Sequence, residues 1–355
     1  MERIKALGLL AGVAVLSACS PYVYNQEITS FGTGVTAVVS SYQTGVQSVD
    51  ATLLQQQLAA DATARTRLML LPGCNQMDPN GTPPKLPDCA VVAFGATGAP
   101  APNAVQAALA DAAPAFNALK VYATALTAVT NATDAATLKT ATQGLTTAAS
   151  GLAGAAAKVD TSLKPAASLV TAGGGLAGQG VSIYLDQRRY AALKDTVPTM
   201  DPFVATLGRT VRAALLEIRE QQLLALGPDL RNAALPLETV SVGSMAQSDY
   251  QGKLAALETK VAAFNLARAA DPTATVTAMV TAHHDLATAL QTNAGQGMAV
   301  LTSTESFVTA AEGLQTAITA ASAAAATPAP ASSKAASGGA KAAPAGAKAA
   351  PAAKK

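Results

Sequence analysis

Ile28, Phe31, Val35, Val38, Tyr42, Val46, Val49 and Leu53 recur at steps of three and four residues. That period gathers all eight on one stripe of an α-helix, whereas a strand would scatter them over both faces. The stripe predicts a helix that continues through the Gln-rich stretch to Leu71, where Pro72-Gly73 stops it, about 44 residues and about 66 Å long. Whatever packs against it must be built from small side chains. Half of the 355 residues are hydrophobic, but only 4% are aromatic and none is Trp. A core of Ala, Leu and Val favours closely spaced helices, and Ala is itself the strongest helix former.

The remaining chain reads as more helices separated by breaks. Asn103 is a capping residue for a helix to about Thr130, with Pro114 as a kink or as the first turn of a second segment. Thr133-Asp134 restarts a helix to about Val159, and Lys164-Pro165 opens another to about Asp195. Asp201-Pro202 and Asp271-Pro272 each place a capping carboxylate before a proline suited to the first helical position. The first predicts a helix ending at Gly227-Pro228, and the second a helix to about Ala323, interrupted near Gly295 and Gly297. Between them lies a helix from about Met245 to Ala270. Val91, Val92 and Phe94 suit a short strand, but no partner strand is evident. The expected fold is all-α: an elongated antiparallel bundle of long helices over residues 19–326, with a loop at 72–102.

Residues 1–18 have a basic start, Arg3 and Lys5, and an apolar run from Ala6 to Leu16 that is too short to span a bilayer. This is the pattern of a secretory leader. Its end, Leu16-Ser17-Ala18-Cys19, resembles the lipobox of bacterial lipoproteins: Leu, two small residues and a cysteine. The resemblance implies that Cys19 is lipidated, that the leader is removed before it, and that the protein is anchored in a membrane. The residue after the cysteine is Ser20 rather than the Asp that retains enteric lipoproteins in the inner membrane, which implies the outer membrane facing the periplasm. With Cys19 lipidated, Cys74 and Cys89 remain as a pair around a Pro- and Gly-rich loop. In an oxidising compartment their disulfide would stabilise by about 3 kcal/mol, with free thiols as the alternative. Two cysteines lack the further ligands of a zinc site, so no metal is expected.

Charge is distributed unevenly. Without the leader's two bases and one acid and the tail's five lysines, 17 bases face 21 acids. Such a body does not suit nucleic acid, which needs a clustered basic face. The tail, 327–355, has no Leu, Ile, Val or aromatic residue and repeats Gly-Ala-Lys-Ala-Ala-Pro-Ala, so disorder is expected. Its lysines Lys334, Lys341, Lys348, Lys354 and Lys355 are candidates for contact with a polyanion. Lipobox and tail together resemble helical outer-envelope lipoproteins that reach toward peptidoglycan. The partners expected are therefore the membrane, peptidoglycan and a further envelope protein.

His283-His284-Asp285 is the one histidine cluster, but adjacent helical residues point about 100° apart, unlike the four-residue spacing of helical zinc sites. One ring is expected in solvent and the other at the core edge. Gly173 to Gly180 suggests a phosphate loop but lacks the Gly-Lys-Ser/Thr ending. Residues 165–185 are uncharged and contain Gly174-x-x-x-Gly178, so close helix packing or membrane insertion is open to them. Arg188, Arg189, Lys194, Arg209 and Arg212 could form a basic patch, but acids are interspersed. The reading is a non-enzymatic envelope component with no catalytic residue and no cofactor. The alternatives are a membrane-active helical protein and, third, an envelope hydrolase.

Overall fold

The computed structural model describes residues 24–70, 91–94, 101–163, 181–239, 244–292 and 297–326. They form seven helices and one two-stranded ribbon. The helices are α1 (Asn25–Ala64), α2 (Ala104–Asn131), α3 (Ala135–Val159), α4 (Val181–Glu238), α5 (Gln247–Ala269), α6 (Pro272–Thr292) and α7 (Gly297–Ala326). The ribbon joins β1 (Leu68–Leu70) to β2 (Val91–Ala93) in antiparallel register, Leu68 opposite Ala93 and Leu70 opposite Val91.

The stripe on α1 is the inner face of the bundle. Ile28, Phe31, Val35, Val38, Tyr42 and Val49 are all buried. Small residues let the neighbours come close. A Cβ on Gly34 would lie 2.5 Å from the Phe307 ring, and one on Gly45 would strike Ile218, so α7 and α4 pack directly on the α1 backbone. The hydroxyl-rich sequence is accommodated by back-bonding: Thr29, Thr33, Thr36 and Ser41 each donate to the carbonyl four residues earlier.

Contacts along the bundle fix the helix directions. Gly32 faces Thr127 while Asp50 accepts from Gln106, so α1 and α2 are antiparallel. Tyr190 bonds the Leu290 carbonyl and Gly208 faces Val276, so α4 and α6 are antiparallel. Arg219 reaches the Ala267 carbonyl and Asp229 meets Lys260, so α5 also runs against α4. Thus α5 and α6 follow one another back along α4. The bundle is not antiparallel throughout: Arg189 bonds the Ala132 carbonyl and Arg209 bonds Asp160, which makes α3 and α4 parallel neighbours.

Several boundaries differ from expectation. Helix α1 ends at Ala64, not Leu71, because Arg65 adopts the left-handed conformation (φ 54°) and closes the helix by donating to Ala62 and Asp61 carbonyls. Leu68–Leu70 then supplies the partner strand for Val91–Ala93. Pro114 interrupts nothing in α2. Helix α4 runs unbroken for 58 residues, about 87 Å, through Pro198, Pro202, Pro228 and Pro236. Pro202 and Pro228 are exposed and Pro198 and Pro236 half-buried, so carbonyls released by the missing N–H groups lie toward water rather than in the core. Asp201 is consequently inside a helix rather than at its cap. Asn103, Asp134 and Asp271 do cap α2, α3 and α6, accepting respectively from the N–H groups of Gln106, Ala136 with Thr137, and Ala274. The loop between Cys74 and Cys89, the segment 164–180 and the tail lie outside the described residues.

Candidate functional site

The strongest polar constellation lies at mid-bundle, where α2, α4 and α6 meet. His283 is fully buried, yet both ring nitrogens are engaged: Nδ1 lies 3.0 Å from Asp201 Oδ1 and Nε2 lies 3.1 Å from the Tyr122 hydroxyl. His284 Nδ1 lies 2.8 Å from the other Asp201 oxygen. The apolar stripe of α2 (Leu119, Tyr122, Leu126) carries Tyr122 inward, and the unbroken α4 delivers Asp201. Phe31 packs its ring 5.7 Å from that of His283 and 5.7 Å from that of Phe307, closing the remaining side.

Charge and proton positions follow from these partners. Burial is the largest influence on Asp201 and pushes its pKa up, but the hydrogen bonds and charges of His283 and His284 together outweigh it and hold it below the ordinary range. An ionised Asp201 only accepts, so His283 Nδ1 donates to it, and Nε2 is left to the Tyr122 hydroxyl. Burial, assisted by the Asp201 charge, pushes the Tyr122 phenol well above its ordinary pKa. The hydrogen bond to Asp201, then the Asp201 charge, raise His284.

A Tyr–His–Asp line has the order of a nucleophile, base and orienting acid. Here Tyr122 is fully buried and its proton is harder to remove than usual, so a substrate cannot reach the oxygen and the base gains little by taking the proton. The group joins three helices and leaves none of its ring nitrogens facing the core without a partner. The two histidines separate as the helical spacing predicts, His284 having 63% of its side chain exposed.

The basic residues near the start of α4 make a mixed face, as the interspersed acids suggest, rather than a patch. Arg189 pairs with Asp186 at 2.5 Å and Arg209 with Asp160 at 3.3 Å, while Lys194 lies 5.7 Å over the Tyr190 ring. Among the described residues no cluster of His, Cys, Asp and Glu is arranged to hold a metal ion. A groove of about 600 Å³ between α1, α2 and α7 is lined by hydroxyls such as Thr33, Thr36 and Thr127, with Glu312 the one ionisable side chain. Cys19, Cys74, Cys89, Lys334, Lys341, Lys348, Lys354, Lys355 and the Gly173–Gly180 run lie outside the described residues. Sequence reasoning singled out His283 but missed Tyr122, whose signal was a polar tip on an apolar stripe, and read Asp201 as a cap.

No family model, no curated protein and no solved structure matches this chain.

Proposed function

We propose that the protein is a lipid-anchored, non-enzymatic component of a bacterial cell envelope, a helical spacer held by Cys19 in the outer membrane and facing the periplasm. The observation that carries this reading is Leu16-Ser17-Ala18-Cys19 placed just before α1 at Asn25. The anchor so placed leads almost at once into the bundle. No described helix is long and apolar enough to cross a membrane, so membrane attachment through lipid fits the body better than a span within it. The sealed Tyr122–His283–Asp201 group favours a structural over a hydrolytic role.

In the same reading, Cys74 and Cys89 form a disulfide and the tail reaches peptidoglycan through its five lysines. Phe307 packs on Gly34, and Ile318 meets Gln222 one turn beyond the Ile218 that packs on Gly45, so α7 runs parallel to α1 and Ala326 lies roughly 40 Å along the bundle from Tyr24. A tail leaving there starts well away from the anchored end.

The test is Cys19→Ser. The variant is expected in the soluble periplasmic fraction or as an unprocessed form, while the natural sequence sediments with outer membranes. A variant that stays in those membranes at unchanged mature mass would overturn the anchor.

A further inference from the structure

We infer that α5 pairs in parallel with α5 of a second copy of this chain. Tyr250, Leu254, Leu257, Val261 and Phe264 follow one another by four, three, four and three residues, the spacing of a coiled-coil seam. The face that α5 buries in its own bundle is a different one, made by Lys260, Ala263 and Ala267. At about 100° per residue the seam is centred about 100° away from that face. Its outer members are open: Tyr250, Leu254 and Val261 are 43%, 37% and 38% exposed. Phe264, at its inner end, leans on the small cluster of Leu226, Ala263 and Ala321. Leu257 and Phe264 are half-buried, so the bundle holds the seam by one edge and leaves Tyr250, Leu254 and Val261 open.

The flanking charges name the occupant and its direction. Lys253 precedes Leu254 on one side of the seam and Glu258 follows Leu257 on the other. Across a parallel two-stranded pair these positions face each other, so a twofold axis makes two Lys253–Glu258 contacts. An antiparallel pair centred on Leu257 would instead bring Glu258 near Glu258 and Lys253 near Lys260. Neither Lys253 nor Glu258 has an ion-pair partner among the described residues. A seam of two heptads is short, so pairing is concentration-dependent rather than obligate. The pairing does not rest on the lipid anchor, although two copies standing on one membrane would share the required orientation and a raised local concentration.

The test is sedimentation equilibrium of the full chain in a density-matched detergent, for the natural sequence, Lys253→Glu, Glu258→Lys and the double exchange. Both substitutions lie on the outer side of a helix whose folding circular dichroism can verify. The natural sequence is expected to pass from monomer to dimer with concentration, each single variant to dimerise about tenfold more weakly, and the double to recover to within about threefold. A monomer at every concentration overturns the inference. So does a dimer indifferent to the single changes, or a double variant no stronger than the singles.

Discussion

Tyr122 and Asp201 show how one buried ring can set the relation of three helices. The Tyr122 hydroxyl satisfies His283 Nε2, which otherwise faces a core of Phe31, Phe307 and aliphatic side chains. Tyr122→Phe should lower stability by about 1–2 kcal/mol, read by thermal or urea unfolding, because it leaves that buried nitrogen without a hydrogen-bond partner. Asp201→Asn should cost more, about 2–4 kcal/mol, since it removes the charge to which both rings bond. The pH dependence carries two signs. Asp201 has a lowered folded pKa, so its contribution is present above the unfolded value near 4 and is lost as pH falls through the folded one. His284 has a raised folded pKa, so its contribution is present below about 6.5 and is lost as pH rises through the folded value. Stability should therefore be greatest between about pH 4 and 6.5 as far as this group decides it, and Asp201→Asn should flatten both edges in a series of melts. A flat profile in the natural protein would show that the network is not charged as inferred.

At the scale of elements, the apolar period and the caps were legible, and proline was misread. The stripe from Ile28 announced α1, and Asn103, Asp134 and Asp271 marked true helix starts, because a short carboxylate or amide binding its own backbone is a local matter. Leu68-Met69-Leu70 looked like helix because Leu and Met are good helix formers; its strand state depends on Val91–Ala93, more than twenty residues away. Asp201-Pro202 looked like a start for the same local reason, whereas burial of Val197, Met200, Phe203, Val204 and Leu207 carries α4 straight through. Proline remains unfavourable there even so. Pro202→Ala should stabilise the protein by about 1–3 kcal/mol, by restoring one main-chain hydrogen bond on an exposed face. A melt lowered by that change would mean that Pro202 is needed for the course of α4. The network was half legible: a paired histidine is visible in sequence, but partners 161 and 82 residues away are joined by the fold alone.

The described residues form a bundle with two distinguishable ends. Tyr24 lies at one end, while Gln222, which bonds Ser322, and Lys260, which bonds the Ala324 carbonyl, lie toward the other. In the proposed setting the first end stands at the membrane and the tail leaves from the second. The tail's 29 residues would add about 90 Å if extended, or nearer 30 Å as a coil, with five lysines and no acid. Full chain and a version ending at Ala326 should differ in pelleting with isolated cell wall at low salt and converge at high salt, as screened electrostatic binding requires. Equal pelleting at low salt would leave the tail without that role. The anchor itself is tested most directly by the intact mass of the protein extracted from membranes. A polypeptide beginning at Cys19 and carrying a diacylglycerol thioether and an acylated amino group is expected. A mass equal to the unmodified chain, from Met1 or from any later residue, would contradict it.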